Sequence, residues 1–333
     1  MQIGDRQTKQ PEVSLLKTAL LNCIMNNLYH LCLTAHDEVL IRNEEDARQI
    51  INLSALASYR TGTVIMTDAE MSTHLHQNIC TTNPGEYCFS LLDSVTKDFN
   101  RRHHRAGRLF DKNAFILQLE GPNHIQMSLC YGLRQGVHHG TAQTAFEYQW
   151  CNANAIFAQE RGVPAEKPFL SGAGQLRDLF PKGVEIPDSW TVGRDGVLLR
   201  RCFEDLKLVE TWFGTARSYM FAMNRKTSEE WLKEQEKDGL DKPIVTLSLL
   251  ERGYSAEDVS QMLQNEGNAK YNHKRKSDME ICKLIDTELL GKYHVQSVYE
   301  LDVAQKLRII DELRYDTKFS NLKQLARCVA LKY

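Results

Sequence analysis

Met71-Ser72-Thr73-His74-Leu75-His76-Gln77-Asn78-Ile79-Cys80 is the stretch whose reading decides the fold. Read as a β-strand, its side chains alternate between two faces, so His74 and His76 share one face, roughly 6.5–7 Å apart along the chain. Leu75 then points into a core behind them. Two neutral imidazoles at that spacing can converge on one divalent cation. About fifty-five residues later comes Leu129-Cys130-Tyr131-Gly132-Leu133-Arg134-Gln135. In a helix, its tyrosine and carboxamide at i and i+4 lie on one face.

Working outward, Asn27 to Thr34 reads as a first strand. Glu44 to Tyr59 reads as an amphipathic helix, with Ala47, Ile50, Ile51, Leu53, Leu56 and Ala57 at helical spacing. Gly62 to Thr67 is a short β-branched strand, and a turn at Asp68-Ala69-Glu70 leads to the histidine strand. Thr82-Asn83-Pro84-Gly85 reads as punctuation. A second helix is expected from Phe89 to His103, a fourth strand from Asn113 to Leu119, and a helix from Pro122 to about His138. The order β-α-β-β-α-β-α predicts an α+β, split βαβ (ferredoxin-like) antiparallel sheet with helices on one face. In such a sheet the histidine strand and the tyrosine helix can face each other across a groove.

Beyond Trp150, Pro and Gly accumulate, and one long helix is expected near 203–224. From Leu247 the chain reads as helical. Ser255-x-x-Asp258 and Ser277-x-x-Glu280 look like capping boxes. Ile281, Leu284, Ile285 and Leu289 form one apolar stripe, and Val303, Leu307, Ile310 and Leu313 another. The expected division is a lead-in over 1–24, a catalytic domain over 25–155, a connector over 156–245 and a mostly helical C-terminal domain over 246–333.

Composition bounds the function classes. The 333 residues are 42% apolar and 25% charged, as in an ordinary folded protein. Nine cysteines without a Cys-x-x-Cys spacing suggest a reducing, cytoplasmic setting and argue against a zinc ribbon. No run of 18 apolar residues occurs, so no membrane partner is expected. Net charge is −2, but local clusters matter more for a polyanion partner. Arg101, Arg102, Arg105, Arg108 and Lys112 stand against Asp111 alone in residues 101–112, and Lys270, Lys274, Arg275 and Lys276 form a second cluster.

Tyrosine is a weak nucleophile near neutral pH because its pKa is about 10. It becomes useful when the electrophile is activated, as a phosphodiester is when a divalent metal neutralises its oxygen. A mixed imidazole and carboxamide donor set suits Mg²⁺ or Mn²⁺.

In order along the chain stand Tyr29-His30, Met71-x-x-His74-Leu75-His76, Phe99-Asn100-Arg101-Arg102-His103-x-x-x-Gly107-x-Leu109-Phe110, Tyr131-x-x-x-Gln135, Gly140 and Tyr148-Gln149-Trp150. This order resembles the single-tyrosine HUH transposases, most closely the branch associated with repetitive extragenic palindromes. The resemblance covers about residues 25–155. It implies metal ligation by His74, His76 and Gln135, with Tyr131 as the nucleophile that cuts single-stranded DNA through a covalent 5′-phosphotyrosine. It implies DNA contacts from Arg101, Arg102, Arg105, Arg108 and Lys112, and a single-stranded or hairpin DNA partner. A monomer is expected over a dimer.

The chain departs from the family at Ser72-Thr73, usually Pro-Asn, and at Gln135-Gly136, often Asn-Pro. Gln135 keeps an oxygen donor; Gly136 weakens the helix. Two rival functions are a catalytically silent, domesticated DNA-binding protein and a metallohydrolase that activates water. Adjacent histidines point to different sides of a helix, so His103-His104 and His138-His139 are not expected to build a second metal site.

Overall fold

The computed structural model describes residues 27–35, 38–111, 114–224, 275–316 and 320–331. The lead-in, the Ser255-x-x-Asp258 box, Lys112, Lys270 and Lys274 lie outside the described residues.

Four strands, β1 (Leu28–Thr34), β2 (Val64–Glu70), β3 (His74–Cys80) and β4 (Phe115–Gln118), form an antiparallel sheet in the order β2-β3-β1-β4. The predicted α+β class and the β-α-β-β-α-β-α order are both observed. Helices α1 (Glu44–Thr61) and α2 (Pro84–Arg102) cover one face. There Leu31, Leu33, Ile65, Leu75 and Ile79 pack against Ala47, Ile50, Leu53, Leu91, Val95 and Phe99 in one buried cluster. Local chemistry explains the helix starts. Asn43 and Asp46 form a capping box at α1. At α2, Asn83 accepts the Glu86 amide and Pro84 occupies the first turn, where its missing N–H is no loss. The turn-like Asn83-Pro84-Gly85 therefore opens the helix five residues before the expected Phe89.

Helices are not confined to the one face expected: the opposite face holds α3 (Gly121–Leu133) and a short α4 (Gln135–His138). The single helix expected from Pro122 to His138 is thus broken at Arg134, whose amide points to the carbonyls of both Cys130 and Tyr131. Two glycines let this segment lie close to its neighbours. A Cβ on Gly132 would sit 3.2 Å from Asn78 Nδ2 and 3.3 Å from Thr67 Oγ1; one on Gly136 would sit 2.5 Å from Tyr148 Cβ.

The stretch after Trp150 completes the core rather than standing apart from it. Leu176, Phe180, Trp190 and Leu198 join the cluster beneath α1 and α2. Ile156, Phe157, Val209, Phe213 and Tyr219 join the cluster beneath α3. The long helix expected near 203–224 is two, α5 (Leu206–Phe213) and α6 (Ala216–Met223). Gly214, at φ 72°, stops α5 in a conformation that favours glycine.

The C-terminal helices α7 (Asp278–Leu284), α8 (Val303–Asp316) and α9 (Leu322–Cys328) bury a cluster of their own. Ser277 and Glu280 form the expected capping box. Ile281, Ile285 and Leu289 are core. The second stripe is corrected: Val303 and Leu307 are exposed, and Ile309 is buried with Ile310 and Leu313. Buried Arg42 ties this unit to the sheet domain, donating to Cys328 O and to Asp286, both at 2.8 Å. No helix among the described residues is long and apolar enough to cross a membrane.

Candidate active site

The sheet face under α3 is polar. Antiparallel register sets Thr34 opposite His74, Cys32 opposite His76 and His30 opposite Asn78, so alternation turns His30, His74, His76 and Asn78 toward α3. A bulge between Ile65 and Thr67 brings Thr67 opposite Asn78. The helical side supplies Ser128 and Tyr131 from α3, Gln135 and His138 from α4, and His139 beyond it.

Tyr131 and the histidine pair share this floor. The His76 and Tyr131 rings meet edge to face with centroids 5.1 Å apart, and His74 lies 5.1 Å from His76. His30 adds a third imidazole 5.8 Å from Tyr131. The site is nearly closed: Tyr131 is 7% exposed, His74 3%, and His76 and Gln135 0%. His139 lies 4.9 Å from His74 and His138 5.7 Å from Tyr131, centroid to centroid. The two adjacent histidines thus both reach this site, their own ring centroids 5.3 Å apart.

Burial sets the charge of these rings. It pulls His76 well below the usual imidazole range, and His74, His30, His139 and His138 add to the effect. Burial likewise lowers His30 to about 4, against support from Asn78. His139 is held well below its ordinary value by burial, then by His74. Neutral rings keep a lone pair, which a metal needs and a proton would remove.

Gln135 keeps the expected i+4 relation to Tyr131 across the helix break, its Nε2 donating to Tyr131 O at 3.2 Å. Its Oε1 is buried and accepts no hydrogen bond among the described residues. Such an orphaned acceptor is costly unless a cation or proton donor meets it. Among the described residues, no group of three or more His, Cys, Asp or Glu is arranged to hold a metal. The buried Gln135 oxygen is a candidate donor of another type beside His74 and His76. Two imidazoles with one carboxamide oxygen make a mixed N/O donor set, which Mn²⁺ accommodates better than the harder Mg²⁺.

The arginine cluster separates into two pairs. Arg102 is held by Asp98 at 2.7 Å and by buried Asp46. Arg105 grips Glu38 through two nitrogens, both at 2.6 Å, and lies over the Tyr299 ring. The same Asp46 accepts His103 Nε2 at 2.7 Å. Burial alone would raise the Asp46 carboxyl, yet His103 and Arg102 carry it below the usual carboxylate range. Arg102 and Arg105 thus have internal counter-ions, while Arg101 and Arg108 are exposed, Arg101 pairing with Asp98 at 2.6 Å.

Sequence reading quoted His30 only within the Tyr29-His30 strand and gave it no role, and it did not single out Ser128. His30 Nε2 lies 3.1 Å from His76 Nδ1, and His30 Nδ1 lies 3.0 Å from Ser128 Oγ. The available signal was parity: His30 is even-numbered in a strand whose odd-numbered leucines, Leu31 and Leu33, are core.

No protein family model matches the chain, and no curated protein matches it. Among solved structures, one described as "Structure of the REP associates tyrosine transposase bound to a REP hairpin" is similar over 49% of this chain and 91% of its own, at 8% identity and a TM-score of 0.34. That likeness is too slight to carry an argument, so function is reasoned from the side chains.

Proposed function

We propose that this chain is a metal-dependent endonuclease and strand transferase acting on single-stranded or hairpin DNA, with Tyr131 as nucleophile. The observation supporting this most is the edge-to-face contact of Tyr131 with His76, 5.1 Å between centroids, beside His74 on the same floor. His74, His76 and Gln135 are the donors for a divalent cation, Mg²⁺ or Mn²⁺. When bound, the cation supplies charge neutralisation at a non-bridging phosphate oxygen.

The chain's own groups do the rest. Burial keeps His76 neutral, so its lone pair is available. The Gly132 approach brings the tyrosine helix close against the sheet, which limits how far Tyr131 has to be reoriented. Tyr131 Oη bonds to phosphorus as the P–O3′ bond breaks. The phenolic proton passes to water, and the departing O3′ takes a proton from water. The products are a 5′-phosphotyrosine and a free 3′-hydroxyl, and attack by a 3′-hydroxyl reverses the step with the bond energy kept. Arg101 and Arg108 are the better placed for phosphate contacts, since both are exposed, Arg101 even while paired with Asp98, whereas Arg102 and Arg105 are held by the buried carboxylates Asp46 and Glu38.

A second reading is a catalytically silent DNA-binding protein, favoured by the closure of the site, with His76 and Gln135 at 0% exposure. Incubation with a labelled hairpin oligonucleotide and Mn²⁺, followed by denaturing electrophoresis, separates the two. A covalent adduct lost in Tyr131→Phe supports the enzyme, and binding without adduct supports the silent protein. Cleavage that survives Tyr131→Phe points instead to activated water.

A further inference from the structure

A chain of buried hydrogen bonds runs behind His76, and its directions can be read off one atom at a time. Asn78 Nδ2 lies 3.2 Å from Ser128 O and 2.7 Å from Thr67 Oγ1. The Ser128 carbonyl can only accept, so the amino group of the carboxamide faces it and Oδ1 lies on the other side. Ser128 Oγ is hydrogen-bonded to that Oδ1, which can only accept, so the serine hydroxyl donates there. Its oxygen is then left to accept from the ring nitrogen 3.0 Å away, His30 Nδ1. Asn78 Oδ1, 3.4 Å from the same nitrogen, asks for the same proton. His30 therefore carries its proton on Nδ1. Among the described residues its hydrogen-bond partners are an amide, a hydroxyl and another imidazole, none of them a carboxylate that would support a second proton. Nε2 is then a bare acceptor, and the atom 3.1 Å from it is His76 Nδ1, which has to be the donor.

We infer that His30, oriented by Ser128 and Asn78, is a positioning residue that fixes His76 as its Nδ1–H tautomer and leaves Nε2 as the nitrogen offered to a divalent cation. The inference rests on the reading of His76 as a metal ligand. It explains why a fully buried histidine stands in β1 at a position where an apolar residue would pack at lower cost. Thr67 comes from β2, His30 from β1 and Ser128 from α3, while Asn78 stands two residues along β3 from His76. The tautomer is accordingly set by the tertiary fold rather than by the His-Leu-His segment.

The test uses the full-length, metal-free protein with ¹⁵N-labelled histidine. Long-range ¹H–¹⁵N correlation reads which ring nitrogen carries the proton, with His76 assigned by its loss in His76→Ala. The expected wild-type spectrum has His76 and His30 both protonated at Nδ1. In His30→Leu, His76 shifts toward the Nε2–H form, and Mn²⁺ affinity read by electron paramagnetic resonance falls about 10- to 100-fold. His30→Gln, whose carboxamide oxygen can still accept, keeps the Nδ1–H form and most of the affinity, which separates positioning from misfolding. An Nε2–H tautomer at His76 in the wild type, or an unchanged tautomer in folded His30→Leu, overturns the inference. An Nδ1–H tautomer in a wild type that binds no Mn²⁺ upholds the hydrogen-bond chain and overturns the metal reading instead.

Discussion

Gly136→Ala sets two effects of opposite sign against each other. Alanine in the short helix α4 gains about 1 kcal/mol in helix propensity over glycine. Against this, the new methyl group would stand 2.5 Å from Tyr148 Cβ and 2.6 Å from Cγ, where unstrained carbon contacts need about 3.5–4.0 Å. Either the ring or α4 has to move by about 1 Å. Neither is loose. Tyr148 donates through its hydroxyl to Glu70 O at 2.6 Å, and Gly136 O accepts the amides of Thr141 and Ala142 at 2.9 and 3.0 Å. Overpacking of this kind costs about 1–3 kcal/mol, and a lost buried hydrogen bond adds about 1 kcal/mol. The net expectation is destabilisation by about 1–3 kcal/mol, read as a lowered urea midpoint at constant slope. In a Tyr148→Gly background the clashing atoms are gone, and the same substitution should be neutral or stabilising by up to about 1 kcal/mol. A wild-type background in which Gly136→Ala raises the midpoint would refute the steric reasoning.

Other consequences can be checked in the same protein. Burial, then Asp68, raises the Glu204 carboxyl to about 8, and burial, then Asp68, also holds Glu70 well above the ordinary 4.5. The folded chain therefore binds more protons than the unfolded chain between about pH 4.5 and 8, and stability falls as pH rises through that window, by about 1.4 kcal/mol per pH unit for each extra proton. Urea midpoints from pH 5 to 8 should show this decline, and Glu204→Gln should flatten it. Arg42→Met removes a guanidinium 1% exposed that holds Cys328 O and Asp286; a loss of about 3 kcal/mol is expected, with earlier proteolysis between the sheet domain and the C-terminal helices. Arg101→Gln and Arg108→Gln should each weaken single-strand binding and reduce its salt slope by about 0.7. Arg102→Gln and Arg105→Gln should lower the melting temperature instead.

Patterns of period two and 3.6 made the sheet and its crossover helices legible, because Leu75 and Ile79 alternate with the histidines and Leu91, Val95 and Phe99 recur at helical spacing. What escaped depends on partners distant in sequence. Asn83-Pro84-Gly85 reads equally as a turn or a helix start, and only the packing of Tyr87 and Leu91 on the sheet decides. The basic run at 101–108 reads as a free patch because Glu38 and Asp46, which neutralise Arg105 and Arg102, lie about sixty residues away. The bulge that turns Thr67 toward Asn78 leaves no local mark. At the site, the pairing of His74 and His76 could be read from spacing. The contribution of His30 required the β1–β3 register, and that of Gly136 required the position of Tyr148.

The floor shared by Tyr131 and the paired imidazoles is tested most directly by finding the atom that carries the DNA. After incubation with a single-stranded hairpin oligonucleotide and Mn²⁺, nuclease trimming and peptide mass spectrometry should place one nucleotide phosphate on Tyr131, with His74→Ala and His76→Ala abolishing the modification. A phosphate on any other residue, or an unmodified Tyr131 in protein that binds both the metal and the hairpin, would contradict the assignment.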